Sequence, residues 1–163
     1  MKFRKPHRLA GFDYSSAASY FLTFNILDRK ALLSEIKRES IFEPPVVCLK
    51  SFGRITEKYI LQIENHYNGV TLENYVIMPD HVHLLITVNN SSRPKNGSRS
   101  LVARIIQALK SLITKEVGFK IWQLDFYDTV IDTEDLFLKY DAYIDNNPAV
   151  WLDRAGIEPP APK

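Results

Sequence analysis

The run HVHLLITV at 81–88 constrains the fold more than any other stretch of this chain. It is apolar and follows Pro79-Asp80, a pair that favours a turn because proline cannot donate to a strand ladder and aspartate is a common turn residue. It therefore reads as a strand, with TLENYVIM at 71–78 as its hairpin partner. Side chains alternate faces along a strand, so His81 and His83 project from one side while Val82, Leu84, Ile86 and Val88 cover the other. The chain has four histidines, and two of them stand side by side here.

The surrounding pattern supplies the other layers. SYFLTFNI at 19–26 alternates and is rich in aromatics, which predicts a strand. Within SFGRITEKYILQIENHY, Phe52, Ile55, Tyr59, Ile63 and Tyr67 recur at spacings of three and four, predicting one amphipathic helix over 51–67. A second helix is predicted over 101–117, where Leu101, Ile105, Leu109 and Leu112 form an apolar stripe. FYDTVI at 126–131 reads as a short strand, and the last helix is predicted over 133–146, because Pro148 disfavours helical geometry at Asn147. The order β-α-β-β-α-β followed by a helix predicts an α+β, ferredoxin-like antiparallel sheet, with helices on one face plus an added C-terminal helix.

At 163 residues the chain reads as one domain, 1–163, with a basic N-terminal arm at 1–18, a mobile polar loop at 89–100 and a tail at 148–163. The single cysteine, Cys48, excludes an internal disulfide and a thiolate cage; its apolar neighbours predict a buried thiol, and a reducing cytoplasmic location is expected. No apolar run approaches the roughly 20 residues of a membrane span. The start MKFRKPHR is not read as a signal peptide, since Gly11, Asp13 and Ser15 break up the apolar stretch that a signal peptide requires next. Net charge is only +2, yet KFRKPHR at 2–8 and RPKNGSR at 93–99 are cationic without an acidic residue, a pattern that suits phosphate contacts or, equally, solvated surface.

An isolated His-x-His pair more often packs or hydrogen-bonds than binds metal. Here both imidazoles share one face near a sheet end, and the last helix carries Tyr143 and Asn147 four residues apart, hence on one side, with Tyr140 three before Tyr143. An amide oxygen beside imidazoles suits a hard ion such as Mg²⁺ or Mn²⁺. A tyrosine near such an ion and a phosphate is a candidate nucleophile, although helical tyrosines usually pack and an asparagine before proline usually caps.

These residues also carry a resemblance. YVIMPDHVHLLITV resembles the His-hydrophobic-His (HUH) motif of single-tyrosine transposases of bacterial insertion sequences, and YIDNNP at 143–148 resembles their tyrosine helix. The segment ALKSLITKEV through IWQLDFYDTVIDTEDL resembles the REP-associated tyrosine transposase branch, so the likeness runs from about Tyr20 to Trp151. The resemblance implies that His81, His83 and Asn147 ligate Mg²⁺ or Mn²⁺ and that Tyr143, with Tyr140 as the fallback, attacks single-stranded DNA beside a hairpin. The implied products are a 5′-phosphotyrosine and a free 3′-hydroxyl, which later rejoin. Relatives act as monomers or homodimers. This chain departs at Thr129, where related sequences often carry a histidine after FYD.

Single-stranded DNA needs cationic grooves and stacking platforms. The candidates are Lys2, Arg4, Lys5 and Arg8 in the arm, Arg93, Lys95 and Arg99 in the loop, and Arg104, Lys110 and Lys115 on the second helix. Trp122 and Phe126 are stacking or core residues. The alternatives are a non-catalytic single-stranded nucleic-acid-binding module and, more weakly, a hydrolase using water on the same ion.

Overall fold

The computed structural model describes residues 17–89, 98–154 and 162. The strands are β1 (Ala17–Asn25), β2 (Ser34–Lys37), β3 (Val46–Leu49), β4 (Val70–Ile77), β5 (His81–Asn89) and β6 (Tyr127–Ile131). The helices are α1 (Ser51–Ile60), α2 (Ile63–His66), α3 (Ser98–Val117) and α4 (Glu134–Asp153), and a 3₁₀ turn at Leu27–Arg29 follows β1. One sheet runs β4-β5-β1-β6 with every neighbouring pair antiparallel, and β2 and β3 form a separate hairpin. Without that hairpin and the short α2, the order is the ferredoxin-like β-α-β-β-α-β with α4 added, as the pattern predicts.

The alternation in β5 builds both sides of the molecule. Val82, Leu84, Ile86 and Val88 join Leu22 and Phe24 of β1 against Ile60 of α1 and Val102, Ile105, Ile106 and Ile113 of α3. Leu85 joins Phe21, Val76 and Ile131 under Phe137, Tyr140 and Ile144 of α4, with Ile36 of the β2–β3 hairpin at the margin. Every residue from His81 to Val88 is buried, so β5 is covered on both faces. Each such aliphatic side chain contributes about 1.5–3 kcal/mol on burial. That requirement pins the register, since a slip of one residue would exchange the two faces.

Several boundaries differ from the sequence expectation. The single helix over 51–67 is two pieces, broken after Ile60; the restart lets Ile60 and Ile63 both reach the core while Leu61 stays exposed. The last helix does not stop at 146 but continues through a buried Pro148 to Asp153, so residues 148–153 are helix and not tail. A proline there withholds the N–H that would have met the carbonyl four residues back and crowds that carbonyl, yet the helix continues past it with Asn147 and Pro148 buried. β1 begins at Ala17, within the span assigned to the arm. β5 reaches Asn89 and α3 starts at Ser98, which trims the loop at both ends; the mobility expected of it falls on residues 90–97, outside those described. The β2–β3 hairpin is unanticipated, and it carries Cys48, which is half-buried and not enclosed.

One close approach fixes α1. The amide of Lys50 donates to the Leu33 carbonyl at 2.9 Å, and the Leu33 amide donates to the Pro79 carbonyl at 3.0 Å. A Cβ on Gly53 would lie 2.0 Å from that same Leu33 oxygen, so only glycine allows the helix this near. Leu33 thereby ties α1 to the turn that precedes the histidine pair.

Candidate active site

β5 begins at His81, and antiparallel pairing sets Asn25 of β1 opposite His81 and Thr23 opposite His83. The two imidazoles are enclosed, at 0% and 1% exposure, with their Nε2 atoms 3.1 Å apart. Each outer nitrogen has its own partner. His81 Nδ1 lies 2.6 Å from Asp80 Oδ1, and His83 Nδ1 lies 2.7 Å from Thr23 Oγ1. Asp80 Oδ2 in turn pairs with Arg29 Nε at 2.9 Å, and Arg29 also donates to Asn25 Oδ1. Asp28 and Arg29 hold φ of 56° and 55°, left-handed values that cost non-glycine residues about 1–3 kcal/mol each.

α4 roofs this pair. Thr133 caps it by accepting from the Leu136 amide at 3.2 Å, and Glu134 and Asp135 occupy the first turn, where negative charge suits the helix dipole. A register shift in β4 between Leu72 and Asn74 precedes a polar clamp: Asn74 Nδ2 donates to Asp141 Oδ1 at 2.7 Å and to Asp145 Oδ1 at 3.1 Å. At the far end Arg38 pairs with Asp153 at 3.6 Å. So anchored, the helix presents Tyr143, Asn147 and Trp151 on one face, each one turn from the next. The Tyr143 ring lies 5.4 Å from that of His83, and the Trp151 ring 5.8 Å from that of His81. Asn147, between them, is 0% exposed, and neither its Oδ1 nor its Nδ2 has a hydrogen-bond partner among the described residues.

The two tyrosines differ. Tyr140 is buried, its ring 4.4 Å from Phe21 and its hydroxyl donating to the Pro162 carbonyl at 3.3 Å. Tyr143 is half-buried beside the imidazoles. Thr129 pairs with Phe21 and so faces the same side of the sheet, and Phe21 packs 5.0 Å from His83 and 5.7 Å from Tyr143. The departure at Thr129 thus borders the site itself.

Among the described residues no three His, Cys, Asp or Glu side chains gather as a metal site. The donors on this face are instead two imidazole nitrogens and one amide. They fit a hard divalent ion in two respects. Adjacent ligands of an octahedral ion lie about 3 Å apart, close to the observed Nε2–Nε2 separation, and Asn147 supplies a buried amide that no other described residue engages. The outer partners Asp80 and Thr23 are of the kind that orient metal-binding histidines. Asp80, Thr23, Asn25 and Arg29 escape the sequence reading; Asp80 alone left a local sign, in its place directly before the histidine.

The cations divide differently. Arg104 and Lys115 are exposed on α3, a helix on the opposite face of the sheet from the histidines. Lys110 is turned inward: its ammonium donates to the carbonyls of Gln123, Leu124 and Asp125 at 2.9, 3.2 and 2.7 Å, and burial lowers its pKa. It fastens α3 to the strap before β6. Arg99 stands in the first turn of α3, while Lys2, Arg4, Lys5, Arg8, Arg93 and Lys95 lie outside the described residues. Trp122 is in the core at 2% exposure, edge-on to Phe24, and Phe126 packs half-buried against the same core.

The four-stranded sheet order, with α4 laid over its second face, is a fold shared with solved structures. Among solved structures, the REP-associated tyrosine transposase bound to a REP hairpin superposes with a TM-score of 0.58 at 16% identity, over 92% of this chain and 76% of that one. A candidate transposase of Deinococcus radiodurans R1 superposes with a TM-score of 0.51 at 18% identity, over 85% of this chain and 95% of that one. This chain has the fold of those proteins. An uncharacterized protein of Haemophilus influenzae is 24% identical over 167 residues, covering 91% of this chain and 89% of its own length. No family model matches the chain. Among the described residues no helix is long and apolar enough to cross a membrane.

Proposed function

We propose that this chain is a transposase-like DNA strand transferase that cuts and rejoins single-stranded DNA at hairpin or repeat sequences. In this reading His81, His83 and Asn147 hold Mg²⁺ or Mn²⁺ and Tyr143 is the nucleophile. The observation that carries the reading is Asn147: an enclosed amide with both polar atoms unpartnered among the described residues, one turn after a half-exposed tyrosine that packs on the imidazole pair. An unsatisfied buried amide is destabilising, so its presence at this point supports a ligand. The hairpin bound by the structural relative supports a DNA partner of the same kind.

The chemistry balances without a nucleotide cofactor. Tyr143 Oη loses its proton and forms a bond to phosphorus, and the bond from phosphorus to the 3′-oxygen breaks. That oxygen gains a proton, leaving a 5′-phosphotyrosine and a 3′-hydroxyl; rejoining is the reverse with a second 3′-hydroxyl. A tyrosine pKa of about 10 leaves the phenol protonated at neutral pH, so the attack needs assistance. A bound divalent ion would supply it by polarising the phosphate. Asp80 and Thr23 keep the imidazoles aimed, and α4 keeps Tyr143 beside them. Arg99 and the cations of the N-terminal arm and of residues 90–97 are the proposed phosphate contacts; Arg104 and Lys115, on the far face of the sheet, would meet only DNA that extends around the molecule, and Lys110 is turned inward.

The test uses labelled single-stranded DNA carrying the hairpin that flanks the gene, incubated with protein and Mn²⁺ and resolved on a denaturing gel. A covalent adduct from wild type and Tyr140→Phe, absent from Tyr143→Phe, is expected. Loss only with Tyr140→Phe would move the nucleophile one turn. Tight binding with no adduct from wild type would favour the non-catalytic binding module.

A further inference from the structure

We infer that Arg29 is a positioning residue for His81, acting through Asp80 to fix which imidazole nitrogen carries the proton. The consequence for metal binding rests on the function proposed above; the assignment of the proton does not. Asp80 is a carboxylate with each oxygen used once: Oδ1 toward His81 Nδ1 at 2.6 Å, Oδ2 toward Arg29 Nε at 2.9 Å. An ionised carboxylate only accepts, so the hydrogen of neutral His81 sits on Nδ1 and the lone pair of Nε2 points at His83. Without Arg29, the carboxylate is free to rotate about its own bonds, and its plane no longer dictates that choice.

Three features mark the arrangement as built. Arg29 reaches Asp80 from a turn with two consecutive non-glycine residues in left-handed geometry, a strain that persists only where surroundings impose it. The turn is lashed to the loop before β5, since the Ile26 amide donates to the Asp80 carbonyl at 2.8 Å. And Arg29 also binds Asn25, the residue paired with His81 across the sheet. Asn25, Arg29, Asp80 and His81 therefore close a ring around one imidazole.

The ring has a counterpart at His83. His83 Nε2 lies 3.1 Å from His81 Nε2, and His83 Nδ1 lies 2.7 Å from Thr23 Oγ1. On the assignment above, His83 Nε2 would carry the hydrogen between the rings in the metal-free protein, and the Thr23 hydroxyl would donate to Nδ1. When Nε2 is needed as a ligand, the hydrogen moves to Nδ1 and the same hydroxyl accepts. A hydroxyl serves both states, whereas the Arg29-held carboxylate serves one. His81 is the fixed member of the pair and His83 the adaptable one.

The experiment reads the histidine side-chain nitrogens by long-range ¹H–¹⁵N NMR in full-length metal-free protein, then measures Mn²⁺ affinity by electron paramagnetic resonance. Wild type is expected to show His81 as the Nδ1–H form. Arg29→Gln is expected to give a mixture of both forms and about tenfold weaker Mn²⁺ binding, the low end of the range for lost outer partners of metal ligands. Arg29→Lys, which keeps the charge but not the planar fork, is expected to fall between them and serves if Arg29→Gln does not fold. An unchanged Nδ1–H form in these variants overturns the inference, whatever Mn²⁺ does. A tautomer shift in a protein whose wild type binds no Mn²⁺ upholds it and removes the metal reading instead.

Discussion

Asn147 sets stability against function at a single position. Its amide is enclosed and, among the described residues, unpartnered. An amide in that state costs about 1–3 kcal/mol relative to one that is satisfied. Asn147→Leu, similar in volume and without polar atoms, is therefore expected to raise the melting temperature of the metal-free protein. Each kcal/mol is worth about 2–4 °C in a chain of this size. The variant is also expected to lose any upward shift that Mn²⁺ gives wild type, read by differential scanning calorimetry with and without the ion. A fall in melting temperature would mean that the amide is satisfied in solution. The pair His81 and His83 was legible in the sequence because alternation along a strand is local. Arg29 and Asn25 were not, because their approach depends on the pairing of β1 with β5 and on a strained turn that nothing nearby announces.

Among the elements, α1 is held by a close approach at Gly53. Gly53→Ala would push a methyl into the Leu33 carbonyl, a backbone atom that cannot step aside as a side chain would. Overpacking of this kind costs about 1–3 kcal/mol, and the expected result is a lower urea midpoint with an unchanged slope. The same scale shows where pattern reading stops. The β2–β3 hairpin went unread because its strands, SEIK and VVCL, are too short to show alternation above noise. α4 was read as too short because proline is a local signal against helix, whereas burial of Pro148 and contact of Trp151 with His81 are tertiary. The segment beyond 146, read as an ending, proves to be the part of the helix that shelters the histidines.

For the whole molecule, the order of elements was enough to name the sheet topology, because two helices after β1 and β5 and one hairpin leave few ways to connect four antiparallel strands. What the order could not give is that α4 closes the second face so completely. His81, His83 and Asn147 have essentially no contact with solvent. In the proposed reaction a phosphodiester has to reach these enclosed donors, which calls for Trp151 and its end of α4 to stand away. The proposed reaction would then keep mechanical time: its tempo would be the frequency of a door, and faster chemistry behind a shut door would change nothing. Trp151→Ala, which thins the door without touching a donor atom, is expected to speed single-turnover cleavage while lowering the melting temperature. A rate that falls in step with stability would show that the strand arrives by another way.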